Sequence, residues 1–195
     1  MLLLIVGKTS SGKDTIAKYI KAEYGFEIVV SYTTRDIRKC EVNGREHWFV
    51  SEEEMNELEK RDDLLAWTKS KQGIRYCATE GALKGKDIIY IINPNGVEWL
   101  KANRPDLKYK ALYVDLDDKE ILRRATMRGD SLMKLTERLK HEQVEFNNFR
   151  DNKKYDYYIN TKGSIDETRK LVVELMEKEL GYVRCRGSLG NNTEE

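Results

Sequence analysis

Three groups of residues could do chemistry together. Gly7-Lys8-Thr9-Ser10-Ser11-Gly12-Lys13 is a turn bracketed by glycines and ending in lysine, followed by Asp14 and Thr15. Glycines let the backbone wrap closely around an anion, successive N–H groups point at it, and Lys13 supplies a mobile positive charge. Phosphate is the ligand such a turn suits. Arg35 and Arg38 stand three apart on a short polar stretch and could fork onto a phosphate monoester. A lone basic loop reads more readily as solvated surface. Its place after the second strand of a protein with a phosphate loop favours the fork. Arg124 and Arg128, four apart on one helix face, and Arg138 beyond them form the third group. Taken alone, these read as an ion-paired solvated helix.

The residue after Lys13 is a departure. A hydroxyl residue commonly follows this lysine and holds Mg²⁺. Here Asp14 stands there and the hydroxyl has moved to Thr15. A carboxylate can ligate Mg²⁺ directly or through water. It is also favoured in a first helical turn for its charge alone. An Asp beside a polyphosphate repels it unless a metal lies between, which favours the metal.

The elements that must position these groups are readable from hydrophobic pattern. Leu2 to Val6 is a continuous apolar run, as in a parallel strand buried on both faces. The phosphate-binding turn follows it, and residues 14–24 repeat with Ile16, Ala17 and Ile20 on one helical face. This strand–turn–helix order is the context that a P-loop requires. Further strands are expected at 26–30, 87–92, 109–114 and 156–159, with helices at 95–103, 118–127 and 164–180. Alternation of this kind predicts an α/β core with a parallel sheet and helices on both faces. Two stretches interrupt it. Residues 31–79 read as a small, mostly β insertion, and 124–154 as one exposed helical arm. Residues 183–195 read as a flexible polar tail.

Bulk composition narrows the class. The 195 residues are 35% charged and 39% hydrophobic with a formal net charge of +1, so no overall field grips nucleic acid or an anionic membrane. Cys40, Cys77 and Cys185 have no metal-ligand spacing, which suggests a reduced, cytoplasmic chain.

The stretch from Thr33 to Ser51 is the most specific. Thr33, Thr34, Arg35, Arg38, Glu41, Gly44, Phe49 and Ser51 fall at the spacing of the guanylate kinase acceptor motif, and His47 stands where that motif has tyrosine. The chain therefore resembles the guanylate kinase family from end to end, the tail excepted. The resemblance implies a three-layer P-loop core (1–30, 80–123 and 155–182), an acceptor-binding insertion (31–79) and a lid (124–154). It implies ATP as donor, Mg²⁺ as cofactor, and transfer by Lys13, Arg124, Arg128 and Arg138. Gly7, Ser10, Ser11, Gly12, Lys13, Asp14 and Thr15 would hold the nucleotide, with Asp14 and Thr15 near the metal. Ser31, Arg35, Arg38, Glu41, His47, Tyr76 and Asn93 would hold the acceptor, with Ser31, Arg35, Arg38 and Tyr76 on its phosphate. Monomer and homodimer are both compatible.

Three places that read guanine in the family hold Ala66, Ala78 and Asn93, and a core-strand carboxylate is Ile91. GMP or dGMP is the first expectation for the acceptor. Ribose 1,5-bisphosphate is the rival, since kinases acting on it share an Asp after the P-loop lysine and need no base contact, and another nucleoside monophosphate is a third option. Asp62, Asp63 and Glu80 are candidates to replace the lost base contacts. Intact Gly7, Gly12, Lys13 and lid arginines weigh against a non-catalytic binding module.

Overall fold

The computed structural model describes residues 1–38 and 41–185; Cys40 and the part of the expected tail from 186 onward lie outside them. In chain order the elements are β1 (Leu2–Val6), α1 (Lys13–Tyr24), β2 (Glu27–Ile28), β3 (Tyr32–Thr33), β4 (Trp48–Phe49), α2 (Glu52–Glu59), β5 (Leu64–Lys69) and β6 (Arg75–Thr79). Then follow β7 (Ile88–Ile91), α3 (Pro94–Asn103), β8 (Tyr109–Asp115), α4 (Asp118–Met127), α5 (Leu132–Asp151), β9 (Tyr157–Asn160) and α6 (Ile165–Glu174).

Five strands form a parallel sheet in the order β2-β7-β1-β8-β9. Side chains alternate across a strand, so β1 feeds two cores. Leu2, Leu4 and Val6 pack with Val97 and Leu100 of α3 and Phe146 and Phe149 of α5. Leu3 and Ile5 pack with Ile16, Ala17 and Ile20 of α1 and Val172 of α6. That is why β1 reads as an unbroken apolar run. The result is a three-layer α/β core with β1 at its centre, and the turn after β1 emerges at the carboxyl edge of the sheet, where such folds bind ligands.

A second sheet, in the order β4-β3-β6-β5, lies between β2 and β7 in sequence. β6 pairs antiparallel with both β3 and β5, with Tyr76 opposite Thr33 on one side and Thr68 on the other. Its interior is held by Arg75, which donates to Asn56 and Glu59 of α2 at 2.8 Å each and pairs with Glu52. A capping box of Ser51 and Glu54 starts α2, a helix that the β-rich pattern of this stretch concealed.

The 124–154 arm is helical and folds back on itself. After α4 the Asp130 N–H bonds to Ala125 O and the Gly129 N–H to Thr126 O, both at 3.0 Å, with Gly129 at φ 76°. This left-handed stop requires glycine and turns the chain back on itself. α5 then buries Leu135 and Leu139 against Ile121 and Ala125 of α4, and Phe146 and Phe149 against the core. The second core strand is shorter than its apolar run, because only Glu27 and Ile28 pair with β7. Cys77 is buried, its Sγ 3.5 Å from Met55 Sδ, and burial pushes its thiol up to about 12; Cys185 is exposed. No helix among the described residues is long and apolar enough to cross a membrane.

Candidate active site

The turn between β1 and α1 closes tightly over Gly7. A Cβ on Gly7 would lie 2.6 Å from Ser11 Oγ and 2.6 Å from the carbonyl oxygen of Val114 in β8. Only hydrogen fits there. Ser10 takes a left-handed φ of 59° to bring the loop round. Ser11 is fully buried, its carbonyl accepting from Thr161 Oγ1 at 2.7 Å. Its own hydroxyl is buried and has no hydrogen-bond partner among the described residues. Lys13 reaches back across the loop, its Nζ 3.2 Å from Lys8 O. Lys8 points the other way, onto Asp118 at the start of α4 at 2.7 Å.

Asp14 and Thr15 are exposed in the first turn of α1, and an Asp14 oxygen lies 4.0 Å from Lys13 Nζ. Among the described residues no cluster of three or more His, Cys, Asp or Glu could hold a metal. Mg²⁺ commonly binds through one or two protein oxygens, substrate phosphates and water. An exposed carboxylate and hydroxyl beside the lysine fit that mode.

In the acceptor loop Glu41 is the organiser. Its carboxylate takes Arg35 in a two-bond fork at 2.8 and 2.9 Å and also accepts the Arg38 N–H at 2.9 Å. Arg35 further lies over the Phe49 ring, 5.3 Å from its centroid. Burial alone would raise the Glu41 carboxyl, but Arg35 and the Arg38 N–H bring it below the ordinary value. Ser31 Oγ is 3.0 Å from His47 Nδ1, and the His47 ring meets Tyr76 edge-on at 5.9 Å. Burial, then Arg35, hold the His47 imidazole below its ordinary value, so the ring is neutral at pH 7.

The lid arginines all reach the phosphate loop or its supports. Arg128 donates to Ser10 Oγ at 2.6 Å and pairs with Asp130. Arg124 bonds Glu120 and the carbonyl of Thr161, the residue that ties down Ser11. Arg138 pairs with Glu142 at 2.6 Å. Burial disfavours the Arg138 charge, yet Glu142, Tyr76 and Asp14 together outweigh it. Burial also lowers Lys13; Asp14 opposes this, Arg138 adds to it, Glu142 opposes it and Arg38 adds to it. Arg128 on Ser10 and the Arg138–Glu142 pair on the Thr9 N–H thus bring the 124–154 arm onto the turn after β1.

The positions expected to read a base lie differently. Ala66 and Ala78 face each other across β5 and β6 and are closed into the core, 1% and 0% exposed. Asn93 caps α3 by accepting the Gly96 N–H at 2.8 Å and donates to Thr68 Oγ1 at 3.3 Å. Asp63 pairs with Arg61 and Glu80 with Arg104, both at the end of the β5–β6 pair away from Tyr76. Thr161, Asp118, Glu142 and Thr68 were not singled out in the sequence. No local pattern marks them, since each acts on a partner remote in the chain.

The comparisons bear on family and fold. The family profile described as Guanylate kinase matches residues 1–179. A guanylate kinase of Lactobacillus johnsonii is 31% identical over 166 residues, covering 82% of this chain and 79% of the relative. A guanylate kinase of Clostridium tetani is 28% identical over 194 residues, covering 95% and 88%. The crystal structure of a guanylate kinase from Anaplasma phagocytophilum superposes with a TM-score of 0.65 at 21% identity, over 91% of this chain and 85% of that one.

Proposed function

The chain belongs to the guanylate kinase family, and from that premise we propose that it transfers the γ-phosphoryl group of ATP to the phosphate of GMP or dGMP, giving ADP and the nucleoside diphosphate. One observation carries the reading: Arg128 donates to Ser10 Oγ at 2.6 Å, and Glu142, which accepts from Arg138 at 2.6 Å, also accepts the Thr9 N–H at 3.3 Å, while Arg35 and Arg38 are gathered by Glu41.

In this reading the loop from Gly7 to Thr15 holds the ATP phosphates. Lys13 follows the β- and γ-phosphates, and Asp14 and Thr15 would hold Mg²⁺. Held there, the ion would supply positive charge against the phosphates. Arg35, kept in place by Glu41, binds the acceptor phosphate with Arg38, Ser31 and Tyr76, and neutral His47 can donate one hydrogen bond. Arg124 braces the loop through the Thr161 carbonyl, while Arg128 and Arg138 approach from the lid. The acceptor oxygen then attacks in line while these cations stabilise the spread charge. Lid closure excludes water, which would otherwise take the phosphoryl group.

The relatives named above are described as guanylate kinases, which favours GMP over ribose 1,5-bisphosphate. The test is ADP formation with ATP and Mg²⁺ against GMP, dGMP, IMP, AMP, CMP, UMP, dTMP and ribose 1,5-bisphosphate. Selective turnover of GMP or dGMP is expected. Turnover of ribose 1,5-bisphosphate with none on GMP would overturn the assignment.

A further inference from the structure

Glu142 joins two parts of the site. One carboxylate oxygen accepts from Arg138 Nε at 2.6 Å. The other accepts the backbone N–H of Thr9, in the phosphate loop, at 3.3 Å. Arg138 and Glu142 are four apart on α5, so they share a face. An ordinary surface pair at that spacing is solvated and contributes little. This one differs, because the carboxylate is only 15% exposed and reaches a second element. It also bears on Lys13, opposing the effect of Arg138 there. A carboxylate thus offsets the mutual repulsion of two cations that the reaction needs side by side.

We propose that Glu142 is a positioning residue, fastening the lid helix to the phosphate loop and holding the Arg138 guanidinium over the point of phosphoryl transfer. The proposal rests on the phosphotransfer reading given above. An arginine side chain carries substantial rotamer entropy. Pre-orienting it removes much of that cost from the transition state, where the contact matters. Glu142 touches the loop through a backbone N–H, so its effect does not depend on the identity of residue 9.

The experiment compares Glu142→Ala, Glu142→Gln, Arg138→Ala and the double variant Glu142→Ala/Arg138→Ala with the full wild-type chain. Glu137→Ala, on the exposed side of the same helix, is the control. Glu142→Ala should lower kcat roughly tenfold with the KM for GMP within about twofold, the signature of an interaction needed in the transition state. ATP hydrolysis without GMP should rise relative to transfer. Glu142→Gln still accepts the Thr9 N–H and should fall between. The double variant should be within about twofold of Arg138→Ala, because the two residues act as one unit. Independent, multiplicative losses would overturn the proposal. So would a lowered Tm with unchanged kcat, which would mark a merely structural role. Amide hydrogen exchange reads the fastening without turnover. Residues 7–11 and 132–145 should exchange faster in Glu142→Ala than in wild type; equal exchange would overturn the proposal even in a chain that fails to phosphorylate GMP. A wild-type chain inactive on GMP but with this exchange difference would refute the acceptor and leave the fastening intact.

Discussion

Replacing Glu41 by glutamine isolates the organiser of the acceptor loop. The amide keeps the shape and one acceptor but loses the charge and the two-oxygen match to Arg35. In the structure the pair makes two short bonds with both side chains sheltered, 11% and 15% exposed. A hydrogen bond to a charged group contributes about 1.5–3 kcal/mol. One such bond is lost and the other weakened, while the open side of the loop lets water compensate in part. A net loss of about 1.5 kcal/mol in placing Arg35 is therefore reasonable, which is roughly tenfold in binding. The expected result is a KM for GMP raised about tenfold with the KM for ATP within about twofold, measured by ADP formation. Stability should show the same carboxylate. The folded Glu41 carboxyl lies below its ordinary value of 4.5, so its contribution is fully present above that pH. It is lost as pH falls through the lowered folded value. The gap in urea stability between wild type and Glu41→Gln should be constant from pH 6 to 8, and close progressively as the pH falls below 4.5. A variant with an unchanged KM for GMP would refute the idea that Glu41 sets the acceptor arginines. A stability gap that widened in acid would refute the sign of the shift.

Other outcomes follow from the same contacts. Gly7→Ala places a methyl 2.6 Å from a strand carbonyl, so the loop or β8 must move; a loss of about 1–3 kcal/mol in urea unfolding and weakened ATP binding in calorimetry are expected. Thr161→Val removes the 2.7 Å bond to Ser11 O inside the core; it should cost about 1–3 kcal/mol of stability and raise the KM for ATP more than that for GMP. Asp14→Ala should raise the Mg²⁺ concentration needed for half-maximal rate well above that of Thr15→Ala, and equal shifts would remove Asp14 from the metal.

The parts of the site legible in the sequence are those whose chemistry is local. The phosphate loop is seven consecutive residues between an apolar run and a helical repeat, and backbone geometry at Gly7 is a property of neighbours in the chain and one close strand. The acceptor loop likewise has its arginines and Glu41 within seven positions, so their spacing carried the family resemblance. The bend at Gly129 is also local, since an αL stop rests on one glycine between two stretches rich in helix-forming Arg, Lys and Glu. Ala66 and Ala78 could be seen as departures, yet only pairing across β5 and β6 shows them closed into the core.

The amino-acid sequence by itself therefore determined the parallel α/β core, the glycine-bracketed turn after β1 and the grouping of Arg35, Arg38 and Glu41, since hydrophobic period and short-range spacing are enough for each. Tertiary structure alone decided what holds them in register. Thr161 on Ser11, Asp118 on Lys8 and Glu142 on Thr9 are separated by 150, 110 and 133 residues. A hydrogen bond needs approach to about 3 Å and a set direction, and chain distance carries no information about either until the sheet has brought the carboxyl end of β1 against the lid.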